Sequence, residues 1–234
     1  MPDTVIVTGA SAGIGLAIAT HFVEQGQRVI GLARRPCPDP AVESLRVDLC
    51  DAGALDLVLT GIVESLPPSP RLHLIHSASH MPSDGAEDLD PERLAQTLRL
   101  NVVAPAQIDA RLLPAAAPGS SVVFIGSTLC EKAVPGKLSY VTSKHALLGL
   151  MRATVQDLFG RSIHALCVAP GFVDTDMLRP ALERDPEFER SVLDMVSFGR
   201  LLDPNEIAEI VAFATRTPAL NGAVIHANLG QREA

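Results

Sequence analysis

The chain has 234 residues, a formal net charge of −8, 47% hydrophobic and 20% charged residues. These values suit one globular α/β domain with a substantial core and exclude a disordered chain. The acidic balance, an aromatic content of 3% and the absence of tryptophan argue against a nucleic-acid binder, which needs basic surface and stacking rings.

In chain order, residues 4–7 (Thr-Val-Ile-Val) predict a buried strand that runs into Thr8-Gly9-Ala10-Ser11-Ala12-Gly13-Ile14-Gly15 and an amphipathic helix to about Gln25, with Gly26 as its stop. A second strand is predicted at 28–33, followed by Arg34-Arg35-Pro36, and a third at 44–47, ending at Asp48-Leu49. A helix over 52–66 is broken by Pro67-Pro68-Ser69-Pro70, and a fourth strand over 71–76 enters Ser77-Ala78-Ser79. After a polar loop at 82–88, Asp90-Pro91 caps a helix that carries Asn101 to about Leu113, with Pro105 expected to kink or break it. The remaining expectations are strands at 121–125, 162–168 and 222–227, helices at 137–159 and 204–215, and short helices over a cleft within 175–197. Strands alternating with helices imply right-handed crossovers: a doubly wound parallel sheet of about seven strands in the order 3-2-1-4-5-6-7, with helices on both faces and no second domain.

Gly9, Gly13 and Gly15 lie between a strand and a helix. There the first glycine permits a tight turn, the second lets backbone approach a pyrophosphate, and the third lets the helix pack close to the sheet. The helix start adds free N–H groups and a positive dipole end. The spacing G-x-x-x-G-x-G is neither G-x-G-x-x-G nor a Walker loop. At the end of the second strand, an acid would bind the ribose hydroxyls of NAD. Arginines there suit the 2′-phosphate of NADP. This chain has Arg34 and Arg35, so NADP(H) is expected in preference to NAD(H), with Ser11 as a further contact.

Ser127 follows the apolar run 121–125, at the carboxyl end of a strand, where open α/β sheets bind ligands. Tyr140, the only tyrosine, stands four residues before Lys144, so on a helix the two share a face. A lysine ammonium one turn away favours a phenolate, and such a pair can exchange a proton with an alcohol or carbonyl oxygen to which a serine hydroxyl donates. On these residues alone, an amphipathic helix with a surface lysine and a packed tyrosine is an equal alternative.

With TGASAGIG from Thr8, Asp48-Leu49, Asn101 in LRLNVVAP, Ser127, the Tyr140-to-Lys144 run, and Pro170-Gly171 followed by Thr175 all in order, the chain resembles the short-chain dehydrogenase/reductase family over essentially its whole length. The resemblance implies a single Rossmann-type NAD(P)-binding domain over 1–234, with 175–200 as a segment covering the substrate. It implies that Tyr140 is the acid/base, that Lys144 holds the nicotinamide ribose and tunes Tyr140, and that Ser127 orients the substrate oxygen. Asn101 would hold a water in a proton relay. Cofactor contacts would come from Gly9, Ser11, Ala12, Gly13, Ile14, Gly15, Arg34, Arg35, Asp48, Leu49, Ser77, Ala78, Ser79, Tyr140, Lys144, Pro170, Gly171, Val173 and Thr175. Two departures stand out. His76-Ser77-Ala78-Ser79 replaces the family's Asn-Asn-Ala-Gly, which puts Ser77 where an Asn ties strands together and Ser79 where a Gly lies against the ribose. Asn228-Leu229-Gly230 replaces a common Asp-Gly-Gly.

The expected activity is an NADP(H)-dependent interconversion of a small-molecule carbonyl and an alcohol. The alternative is an NADPH-sensing binding protein on the same scaffold with little turnover. A sugar-nucleotide epimerase or dehydratase would need a larger carboxyl-terminal domain. His73, His76 and His80 have metal-like spacing, but the first two point to opposite faces of a strand and no carboxylate or cysteine joins them; no metal is expected. Cys37, Cys50, Cys130 and Cys167 read as free thiols, Cys130 as a small wall near the substrate. Asp174 and Asp176 read as solvent-facing loop charges. Leu147, Leu148, Leu150 and Met151 offer more apolar surface than one sheet contact requires, so a homodimer or homotetramer is expected. Met177, Leu178, Leu182, Phe188, Val192, Leu193 and Phe198 suggest an apolar lid. With no room for a signal peptide before the first strand and no apolar run near the ~18–20 residues of a membrane span, a cytoplasmic location away from membranes is expected.

Overall fold

Consecutive residues of a strand point to opposite faces of the sheet, and here both faces are apolar. Ile6, Leu74, Val122, Phe124 and Ala165 join one buried cluster, while Val5, Val7, Ile75, Val123, Leu166 and Val168 join the other. Such a sheet must be covered on both sides. The computed structural model describes residues 2–232. Its strands are β1 (Thr4–Thr8), β2 (Arg28–Ala33), β3 (Glu43–Arg46), β4 (Leu72–His76), β5 (Ser121–Ile125), β6 (His164–Pro170) and β7 (Val224–Ala227). All neighbours pair in parallel, in the predicted order β3-β2-β1-β4-β5-β6-β7.

The helices are α1 (Gly13–Glu24), α2 (Ala52–Ser65), α3 (Pro91–Leu98), α4 (Ala104–Leu112), α5 (Leu138–Asp157), α6 (Arg179–Arg184), α7 (Pro186–Met195) and α8 (Pro204–Thr215). α2, α4 and α5 cover the face containing Ile6 and Phe124; α1 and α8 cover the other. Local chemistry sets several starts. Asp51 accepts from Gly53 and Ala54 N–H groups at α2, Asp90 precedes Pro91 at α3, and Asp203 with Glu206 forms a capping box at α8.

Three boundaries differ from expectation for identifiable reasons. The helix bearing Asn101 is interrupted by a π-helical turn, Arg99–Val103, just ahead of Pro105 rather than at it. Pro105 has no N–H to give the carbonyl of Asn101 four residues back, and the wider turn precedes it. β6 begins at His164 rather than 162 because Ser162 adopts a φ of 54°. β7 begins at Val224 rather than 222 because Gly222 turns with φ 80°. The residues cited for oligomerisation also read differently in place. Leu147, Leu148 and Met151 are buried in the chain's own core, and Leu150 packs against it while staying partly exposed, so three of the four are accounted for without a partner.

Candidate active site

The glycine loop is built by close contact. A side chain on Gly15 would put its Cβ 2.3 Å from the Gly9 carbonyl oxygen, and one on Gly9 would meet the Ala78 backbone at 3.0 Å. Helix α1 therefore sits tightly against the carboxyl edge of β1 and β4. Gly13, at φ 54°, faces Thr175 across the opening, 3.3 Å from where its Cβ would stand. Ala12 supplies no side-chain cap to α1, so the first N–H groups of that helix face the opening, an arrangement suited to an anion. The strand tie does not depend on Ser77. The Thr8 hydroxyl accepts the N–H groups of Ser77 at 2.9 Å and Ala78 at 3.0 Å.

This loop forms one wall of a cavity of about 780 Å³. Gly9, Ser11, Ala12, Gly13, Ile14, Gly15, Arg34, Arg35, Asp48, Leu49, Ser77, Ala78, Ser79, Tyr140, Lys144 and Thr175 all line it. Asn101, Ser127, Pro170, Gly171 and Val173 are not among its walls. The sequence reading missed Cys50, His80, Gln96 and Leu100, which also line it, as do Gly126, Asp176 and Met177. Gln96 and Leu100 are spaced i, i+4 ahead of Asn101, a repeat that could have flagged them as one exposed face. Arg34 and Arg35 are exposed at the mouth, and the Arg34 carbonyl accepts from Arg46 Nε at 3.3 Å. The Ser79 hydroxyl is buried with no hydrogen-bond partner. A polar atom orphaned on a cavity wall, a cradle of glycine backbone and an uncapped helix start fit a dinucleotide phosphate and ribose.

At the cavity floor, Lys144 is buried at 2% exposure. Its ammonium donates to the Ile125 carbonyl at 2.8 Å and lies 5.4 Å from the Tyr140 ring centroid. The Asn101 side chain accepts the His80 N–H at 2.9 Å and donates to the His80 carbonyl at 3.1 Å and the Ser143 hydroxyl at 2.8 Å. Ser127 is extended, with φ −169°, and its hydroxyl oxygen accepts the Leu129 N–H at 3.1 Å.

Residues 3–186, more than half of the chain, match the family model for short chain dehydrogenases. The chain belongs to the short-chain dehydrogenase family. Protein FixR of Bradyrhizobium diazoefficiens is 30% identical over 98% of this chain and 87% of its own length. Human dehydrogenase/reductase SDR family member 4 is 32% identical over 89% of this chain and 79% of its own. Among solved structures, a short chain dehydrogenase family protein from Francisella tularensis superposes with a TM-score of 0.90 at 25% identity, covering 98% of both chains. A 3-oxoacyl (acyl-carrier-protein) reductase from Agrobacterium tumefaciens with NADP bound gives 0.84 at 25% identity, over 97% of this chain and 93% of that one. The family's oxidoreductase character and its use of NAD(P) therefore extend to this chain.

Within this short-chain dehydrogenase the thiols and imidazoles take structural places. Cys130 is buried, and its sulfur accepts the Ser127 N–H at 3.3 Å. It lies beneath the serine and is not among the walls of the cavity. The hydrogen bond from Cys167 draws the Cys130 thiol below its ordinary range, helped by the Lys144 charge against the opposing effect of burial. The same bond pushes Cys167 upward. Contrary to the sequence reading, carboxylates do join two of the three histidines. His76 Nε2 pairs with buried Asp109 at 2.8 Å, and His73 pairs with Asp3 at 3.4 Å and with the Ser121 hydroxyl at 2.8 Å. Among the described residues no cluster of three or more metal-ligating groups exists, and no helix is long and apolar enough to cross a membrane. Asp174 is a partly exposed loop charge, as expected, and is paired: both its oxygens accept from Arg179, at 2.5 and 2.8 Å.

Proposed function

We propose that the chain is an NADP(H)-dependent reductase or dehydrogenase that interconverts a carbonyl and an alcohol, with Tyr140 as acid/base. The observation that carries this reading is that Tyr140 and Lys144 line the same cavity as the glycine loop and Arg34. The glycine loop and the α1 N-terminus would hold the diphosphate, Arg34 and Arg35 the 2′-phosphate, Ser79 and Lys144 the riboses, and Asp48 and Leu49 the adenine. Pro170, Gly171, Val173 and Thr175 would border the nicotinamide, which supplies or accepts a hydride when bound.

In the reducing direction, Tyr140 gives its phenolic proton to the substrate oxygen as the carbonyl carbon gains the hydride. In the oxidising direction the phenolate takes the proton back. Lys144, buried against Tyr140, stabilises the phenolate by its charge. Ser127 already accepts from Leu129 through its oxygen, which leaves its O–H to donate to the substrate oxygen. Both N–H donors of Asn101 are engaged, with His80 and Ser143. A relay water at this residue must therefore be held by an acceptor, either Oδ1 or the main-chain carbonyl. Residues 175–200 would cover the substrate. Leu182 and Val192 anchor that segment from inside, while Met177 and Phe198 remain 48% and 69% exposed as surfaces for a substrate to meet.

The test is NADPH oxidation across a panel of ketones and aldehydes. Tyr140→Phe is expected to cut kcat on the best substrate by roughly 10²–10⁴-fold while NADPH binding persists. Full turnover by this variant would overturn the assignment. Tight NADPH binding by wild type with no turnover on any carbonyl would favour the sensor alternative.

A further inference from the structure

Helix α5 carries Tyr140 in its first turn yet begins without a cap of its own. Lys137, at the N-cap position, makes no side-chain capping bond, although the first N–H groups of a helix need acceptors. They come from Asp84, 55 positions before Ser139. Its Oδ1 accepts the Ser139 N–H at 2.9 Å, its Oδ2 accepts the Ser139 hydroxyl, and its carbonyl accepts the Leu138 N–H at 3.2 Å. The Asp84 N–H in turn donates to the Gly136 carbonyl at 3.1 Å, and the neighbouring Ser83 hydroxyl accepts the Lys137 ammonium at 2.9 Å.

Asp84 is 3% exposed, so its carboxylate is a buried group, each of whose oxygens accepts from one serine. Burial pushes this carboxyl upward. The two Ser139 bonds and the charges of Arg93 and Lys137 outweigh burial and hold it below its ordinary range. It stands as an anion at the positive end of the α5 dipole. Asp84 also belongs to loop 82–88, the polar segment that follows the cavity wall at Ser79 and His80.

We propose that Asp84 is the positioning residue of Tyr140: by capping α5 from loop 82–88, it fixes the turn that presents the phenol and makes the order of that loop a condition for the phenol's alignment. The proposal rests on the reading of Tyr140 as proton donor. Tyr140 directly follows Ser139, so fraying of that turn moves its ring while Lys144, one turn further on and tied to Ile125, stays in place. A misplacement of about 1 Å in a reacting group can cost on the order of 10²-fold in rate.

The chain holds one tyrosine and no tryptophan, so its intrinsic fluorescence reports Tyr140 alone. Acrylamide quenching of that emission, kcat and NADPH affinity should be compared in wild type, Asp84→Ala, Ser139→Ala and Asp203→Ala, the last removing a cap of the same chemistry from α8. Asp84→Ala is expected to expose the ring to quencher and lower kcat by roughly 10²-fold with NADPH affinity unchanged. Ser139→Ala should shift both in the same direction by less, and Asp203→Ala should lower Tm without moving either. If Asp84→Ala does not fold, Ser139→Ala decides. Quenching and kcat equal to those of Asp203→Ala overturn the proposal. If the ring is exposed in these variants but Tyr140→Phe keeps full turnover, the positioning of the ring stands and the chemistry assigned to it falls.

Discussion

Asn101 in the π-turn donates to Ser143 on α5 at 2.8 Å, and the Ser143 hydroxyl donates onward to the Tyr140 carbonyl at 2.7 Å. Three stretches of chain, at His80, Asn101 and Tyr140, thus meet through one amide and one hydroxyl, both buried. Ser143→Ala leaves an Asn101 N–H buried without an acceptor, at a cost of about 1–3 kcal/mol. Thermal unfolding of Ser143→Ala, Asn101→Ala and the double variant checks it. The double variant should lose less than the sum of the singles, because both remove the same bond.

Arg34 sets cofactor choice if the NADP(H) reading holds. A charge-assisted hydrogen bond contributes about 1.5–3 kcal/mol, so Arg34→Ala should weaken NADPH binding roughly tenfold to a hundredfold and leave NADH binding nearly unchanged. Titration with both nucleotides measures this. Equal weakening of the two would remove Arg34 from the 2′-phosphate site.

Gly126 leaves no room for a methyl group. A Cβ there would stand 2.6 Å from the Cys167 sulfur and 2.8 Å from the Cys130 sulfur. Gly126→Ala should destabilise by about 1–3 kcal/mol through overpacking. In a Cys130→Ala, Cys167→Ala background the same substitution should cost measurably less, as read by urea unfolding.

Acid stability has one traceable contributor. The Arg200 guanidinium, aided by the Asp203 N–H, holds the Glu206 carboxyl down at about 2, from an ordinary 4.5. The folded pKa lies below the unfolded one, so on acidification the unfolded chain takes up the proton first. The stabilisation is complete above the unfolded value, declines as pH drops below it and is gone once pH has fallen through about 2. Glu206→Gln should flatten this part of the pH profile of the urea midpoint. Both partners are partly exposed, at 49% and 35%, so added salt should shrink the difference.

The sheet order was legible because short apolar runs such as 122–125 alternate with helix-length segments, which right-handed crossovers wind into one parallel sheet, and glycine, proline and aspartate marked the helix limits. The cavity wall was legible where backbone forms it, at Gly9, Gly13 and Gly15, since a missing Cβ is visible in a sequence. Contacts made by chance of tertiary approach were not. Nothing in the spacing of Asp84 and Ser139, or of His76 and Asp109, announces that each pair meets. Each partner looks like an ordinary polar residue until the crossover connections bring them together. The apolar residues of α5 misled for the related reason that one stripe of a long helix can face both the sheet and a neighbouring helix.

The pairing of β5 and β6 outlasts β5. Gly126 N–H still reaches the Val168 carbonyl at 2.7 Å, so the segment toward Ser127 leaves along β6, which itself stays paired with β7 as far as Pro170. The ladder ends just before Ser127, the residue proposed to orient the substrate oxygen, and only beyond it do the surface segments diverge. Residues 131–135 and 176–200 supply none of the hydrogen bonds at Ser127 and Lys144, so they can be exchanged without removing those bonds. A family built on this edge can change what it acts on by replacing surface loops while its reaction stays the same.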